Sequence, residues 1–205
     1  MTGRIFTADH HVYDLPPLLS WNVRHTGTVP CDSWSVTAVY QPEMLTVLRM
    51  AAGFAAIENG MTQLRGIVDE YTVELGSRGM TVTLSGRGYA ARLLDNESRP
   101  VTYEQVTLRE LIRCHAEPYG ISCGAAVDLR STVPYTAGVG ISQWKVISEF
   151  CRTYGGFLPR FAKTGELLAT PEQDSGKRII LDSGSPVQFP LPVSAKRSCL
   201  PEYWQ

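Results

Sequence analysis

The sequence has no CxxC pair, no apolar run long enough to cross a bilayer, and almost no excess of charge of either sign. Its five cysteines, Cys31, Cys114, Cys123, Cys151 and Cys199, are odd in number and widely spaced. That pattern argues against a disulfide framework or a zinc knuckle and for reduced, mostly buried thiols. The longest apolar stretch, Met44 to Ile57, is broken by Arg49 and Gly53, and it falls short of the roughly 20 residues a membrane helix needs. The segment Met1 to Asp14 lacks the charged-then-apolar order of a secretory signal, so synthesis in the cytoplasm is expected. A formal net charge of −1 supplies no field that would favour nucleic acid or an anionic membrane.

Catalytic signatures are scarce as well. No Ser-His-Asp order, HExxH, P-loop or paired-carboxylate motif stands out, and no catalytic residue, metal or cofactor is expected. His10 and His11, with Asp9 and Asp14 nearby, would point to opposite faces of a strand and could not easily serve one ion. An exposed N-terminal loop suits them better. His25 and Cys31 are isolated. His115, beside Cys114, and Cys151 fall on helical stripes, where packing is the expected role. Asp69 and Glu70 are adjacent, but strand alternation separates their side chains.

One motif invites a sharper reading. Gly86-Arg87-Gly88-Tyr89-Ala90-Ala91 matches the GxGxxA turn of dinucleotide-binding folds, with Glu104 about where an acidic ribose ligand would be sought. Yet the strand before it is amphipathic and belongs to a hairpin, whereas the first strand of such a fold is buried on both faces. Pro100 interrupts the path to Glu104, and no series of βαβ units surrounds the motif. A structural bend is the expected role. Arg87, Arg92 and Arg99 cluster near it and suit salt bridges or, more sharply, a contact between subunits. Aromatic and basic residues do not interleave as they do in nucleic-acid modules.

What the sequence does contain is a run of strands followed by helices. Leu18–Val23 and Trp34–Tyr40 are rich in strand formers, punctuated by Pro16-Pro17, Gly27, Pro30 and Pro42. Met44–Ala56 suits either a strand pair or a short helix. Leu64–Leu75 and Met80–Ser85 flank Gly76-Ser77-Arg78-Gly79. Alternation is strict from Tyr71 to Leu75 and from Met80 to Ser85, and imperfect from Ile67 to Tyr71. The pair reads as an antiparallel hairpin with one wet face. Gly86-Arg87-Gly88 would then turn the chain into a short helix over Tyr89–Leu94.

Beyond Val101 the pattern becomes helical. Thr107 and Glu110 form a capping box, and Leu108, Leu111, Ile112 and His115 share a face that ends at Pro118 and Gly120. A strand follows around Ile121–Val127. Ser142 caps a second helix, striped by Trp144, Ile147, Phe150, Cys151 and Tyr154. Phe157–Phe161 and Glu166–Ala169 flank Lys163-Thr164-Gly165 as a second hairpin. Helix, Pro-Tyr-Gly and strand at 118–127 are echoed by helix, Thr-Tyr-Gly and strand at 153–162, as two helix–strand units on one small sheet would be. Arg178–Leu181 and Val187–Phe189 read as further strands. The fold class is therefore α+β and β-rich. A β-barrel-like unit (1–99) is interrupted by a small α/β unit with two helices (100–171), and the strands of 172–205 return to the barrel.

The order Gly66–Tyr71, then Leu84-Ser85-Gly86-Arg87, then Leu93-Leu94-Asp95-Asn96 resembles the tail hub proteins of bacteriophages and contractile injection systems, of the late-control-D and Mu-type baseplate hub kind. Thr107–Glu110, Ser142-Gln143-Trp144, Gly155–Phe161 and Gly165-Glu166-Leu167 fit the small α/β domain of that family. The resemblance runs from about Leu64 to Thr170. It implies a tail-tube-like barrel and a homotrimer in the virion tail, joining tail tube to spike, fibre or other tip and baseplate proteins. It implies no bond chemistry. Gly86, Arg87, Gly88 and Asp95 are the structural or interface candidates. The alternatives are a tail-associated peptidoglycan hydrolase and a receptor- or carbohydrate-binding tail module, the latter suggested by nine tyrosines and four tryptophans.

Overall fold

A computed structural model describes residues 1–26, 30–77 and 79–172. The expected strands at 178–181 and 187–189, and Cys199, lie outside those residues.

The N-terminal half is built on one antiparallel sheet of seven strands. In chain order these are β1 (Thr2–Thr7), β2 (Val12–Asp14), β3 (Leu18–Arg24), β4 (Ser33–Val39), β5 (Ala51–Glu58), β6 (Met61–Gly76) and β7 (Gly79–Gly88). Their spatial order is β2-β1-β5-β6-β7-β4-β3. Among the described residues the expected barrel is not closed: β2 and β3 are the edges of an open sheet. The ambiguous stretch after Pro42 becomes both of its alternatives, helix α1 (Met44–Arg49) followed by β5. Helix α1 lies on the path from β4 to β5, which are separated in the sheet by β6 and β7. Its buried Met44 and Leu48 join Ile5, Trp34, Val36, Phe54, Leu64, Val82 and Leu84 in one core. The stacking of Trp34 on Phe54, with centroids 3.8 Å apart, anchors it.

The N-terminal segment forms a β1–β2 hairpin that the sequence did not suggest, while His10, at φ 67°, and His11 lie on its exposed turn as expected. Against expectation, Gly86-Arg87-Gly88 is no turn. It is the last stretch of β7, paired with β6 on one side and, through Gly86 and Arg87, with β4 on the other. The chain bends only after it, entering α2 (Ala91–Leu94).

The second half packs α3 (Leu108–His115) on α4 (Gln143–Gly155), with a two-stranded ribbon, β8 (Val101–Tyr103) and β10 (Tyr135–Ala137). A three-stranded sheet has the order β11-β12-β9, with β9 (Cys123–Ala126), β11 (Arg160–Phe161) and β12 (Leu167–Ala169). The two helix–strand units thus share one small sheet, with β12 between their strands. Thr107 caps α3 with both arms of its capping box in place, and Ser142 accepts from Lys145 N–H at the start of α4. Leu111, Ile112, Ile147 and Phe150 are fully buried in a second core, separate from that of the large sheet. Of the four cysteines among the described residues only Cys151 is buried, although buried thiols were expected; Cys31 is half-buried, and Cys114 and Cys123 are exposed.

Candidate functional site: a clamped bulge between the two cores

The four residues singled out by sequence sit together where the large sheet hands over to α2. Strand β6 carries one residue more than β7 at this point. Val68 pairs with Gly86 and Glu70 with Ser85, leaving Asp69 as the extra residue of a β-bulge. A bulge breaks the alternation and re-aims a side chain, and here it brings the Asp69 carboxylate to Arg87. Arg87 Nε donates to Asp69 Oδ2 at 2.8 Å and Nη2 to Asp69 Oδ1 at 2.9 Å. The same guanidinium donates through Nη1 to Asp95 Oδ1 at 3.1 Å and through Nη2 to Asp95 Oδ2 at 2.8 Å. Asp95 is the C-terminal cap of α2. Four of the five N–H groups of Arg87 are therefore spent on two bidentate forks, one to the sheet and one to the helix. These forks raise the Arg87 pKa above its ordinary value and hold the Asp95 carboxyl below its own.

The glycines let the backbones close around this clamp. A Cβ at Gly86 would run into the Ile67 carbonyl and lie 2.9 Å from the Trp34 ring; one at Gly66 would run into the Arg87 carbonyl. Gly88, the next glycine, donates its N–H to the Asp32 carbonyl at 2.8 Å. The Asp32 side chain in turn accepts from Thr26 N–H at 2.9 Å and lies 2.8 Å from His25 Nδ1. Cys31 is beside the clamp, its thiol pKa raised by burial first and lowered by Arg87.

Next to the clamp the two halves of the chain meet. The guanidiniums of Arg65 and Arg92 lie over the Tyr89 ring at 5.8 and 4.5 Å from its centroid. Arg92 also donates to the Tyr119 carbonyl at 3.0 Å, and Lys163 to Gln63 at 2.8 Å.

Of the other residues considered from sequence, His115 is packed as expected, 5% exposed. Its Nδ1 is 2.6 Å from Gln143 Oε1 and its Nε2 3.0 Å from the Tyr103 hydroxyl. His11 lies on the β1–β2 turn beside Asp9. No cluster of three or more His, Cys, Asp or Glu poised for a metal occurs among the described residues, and none of their helices is long and apolar enough to cross a membrane. The role of Asp69 in the clamp, and Asp32 altogether, escaped the sequence reading. The broken alternation of Ile67–Tyr71 was the signal for Asp69; no local pattern marks Asp32.

No family model and no curated protein sequence matches the chain. Among solved structures, it is similar to the 43 kDa tail protein of prophage MuSo2 from Shewanella oneidensis, with a TM-score of 0.67 and 15% identity, covering 88% of this chain and 58% of that one. It is also similar to the tail protein from Neisseria meningitidis MC58, with a TM-score of 0.60 and 14% identity, covering 81% of this chain and 50% of that one. The chain spans between half and three-fifths of either relative's length. At this identity the likeness is one of fold, and the fold is that of these two tail proteins.

Proposed function

We propose that this protein is a structural component of a phage or phage-like tail, a hub at the tip or baseplate that joins the tail tube to a spike or fibre as a homotrimer. The observation that carries this reading is the shared fold with two tail proteins across more than four-fifths of the chain. Unsatisfied sheet edges support it. Among the described residues, β6 beyond Ile67 pairs only with β7, so its outer half is open on the other side, as are the outer sides of β2 and β3. Such edges are templates for pairing with another chain, and a repeated edge contact that closes on itself gives a ring. Leu19 and Trp21 on β3 and Leu75 at the hairpin tip are 58%, 50% and 81% exposed, apolar surface of the kind that marks an interface. Mechanically, the protein works by binding, without making or breaking bonds.

In this reading, residues 1–99 form the tube-like unit and 100–171 an inserted unit. The clamp of Arg87, Asp69 and Asp95 fixes their junction, while Gly86 and Gly88 allow the close approach. Multi-angle light scattering of the full chain, alone and with tail tube and spike proteins of the same genome, tests the reading. A concentration-dependent trimer that co-assembles with them is expected. A monomer at all concentrations that binds neither would overturn it.

A further inference from the structure

The mixed cleft at the end of α4 has a use that assembly does not supply. It measures about 480 Å³, within the ~300–1,000 Å³ range of small-ligand sites. Its walls include Trp144, Phe157 and Phe161, and the charged groups Asp32, Arg152, Arg160 and Glu172 line the same space. The aromatic wall is held in place: the Trp144 and Phe161 rings are 5.8 Å apart, and all three rings pack on the second core while remaining half-exposed.

The polar groups are also preset. Hydrogen bonds to Asp32 from Thr26 N–H and to Thr170 O from Arg160 Nη1, at 2.9 and 2.8 Å, fix two of them. Arg152 sits in the last turn of α4, where a cation is favourable, and its side chain has no ion pair or hydrogen bond among the described residues.

We propose that this cleft binds a glycan, one or two pyranose units at a time. A wholly apolar ligand would cover the Arg152 guanidinium and give it no partner, which is costly. A phosphate would face the Asp32 carboxylate as well as the arginines. A sugar hydroxyl both donates and accepts, so it satisfies carboxylate and guanidinium alike, while the C–H faces of the ring cover the aromatic wall.

The test uses the full chain and, as probe, a printed array of bacterial surface oligosaccharides. Any disaccharide identified is then titrated by ¹H–¹⁵N NMR while the Trp144 indole N–H is followed. Binding that shifts this resonance is expected, and Arg152→Ala, an exposed change, should weaken it about tenfold through loss of a charge-assisted hydrogen bond. An array with no signal above buffer overturns the proposal. So does unchanged affinity in Arg152→Ala, or a cleft that takes a proline-rich peptide and no saccharide.

Discussion

The indole N–H of Trp34 donates to the carbonyl of Ile67 at 3.1 Å, and the two residues meet across Gly86. The bond explains the glycine. Ile67 lies two residues before the bulged Asp69, its carbonyl is taken up by a side chain of β4, and the space between them is that of a missing Cβ.

Gly86→Ala should therefore destabilise the large sheet by overpacking, by about 1–3 kcal/mol. Urea unfolding would show a lower midpoint with an unchanged slope. A midpoint equal to that of the unaltered protein would mean that the β6–β7 approach is looser than described.

Arg87→Ala should release both forks. Arg87 is 39% and Asp95 51% exposed, so solvent screening limits the loss to about 1–2 kcal/mol for this bidentate network. The pH dependence has a definite sign. The folded pKa of Asp95 is lowered from 3.8, first by its hydrogen bonds to Arg87. Its contribution is complete above the unfolded value and is lost as pH falls through the lower folded value. Asp95→Asn and Arg87→Ala should both flatten the fall in stability below about pH 4, and Arg87→Ala should also shift the proposed trimer towards monomer. Identical acid limbs in all three proteins would refute the clamp; an unchanged trimer in Arg87→Ala would separate the clamp from assembly.

How legible this was depends on the range of the cause. The capping box of Thr107 and Glu110 and the alternation of Met80–Ser85 are local patterns, and both give the elements they suggest. Gly86-Arg87-Gly88 resembled a turn because glycine is permissive. Its glycines instead answer to Ile67, Trp34 and Asp32, residues distant in sequence. Asp69 and Glu70 were expected to face apart, but the bulge turns both to one face of the sheet: Asp69 binds Arg87 and Glu70 accepts from Ser85 at 3.0 Å, and Ser85 and Arg87 are two residues apart on β7. Nothing local says which partner each finds. Barrel closure depends on whether two edge strands meet, and strand sequences alone carry no record of that.

Gln143 orders a buried network. Its Nε2 donates to the Glu97 carbonyl at 2.9 Å, an acceptor only, so Oε1 must face His115. Nδ1 of His115 then carries the proton, and in the neutral ring Nε2 accepts from the Tyr103 hydroxyl. ¹⁵N NMR should report the Nδ1–H tautomer. Gln143→Leu should cost about 1–3 kcal/mol by stranding a buried donor. An Nε2–H tautomer in the unaltered protein would reverse the network.

The thiols should separate by burial. Cys151 is buried in the second core and its pKa is pushed up to about 12 by desolvation; the thiolate, which is the reactive form, is then nearly absent at neutral pH. Cys114 and Cys123 are exposed, although partial burial raises the Cys123 thiol pKa. In a Cys199→Ser background, Ellman's reagent at pH 7.5 should label Cys114 and Cys123 in the folded protein, Cys123 more slowly than a free thiol. Cys151 should react only after urea unfolds the second core. Labelling of Cys151 at the rate of Cys114 would mean that the α3–α4 core opens far more readily than its packing implies.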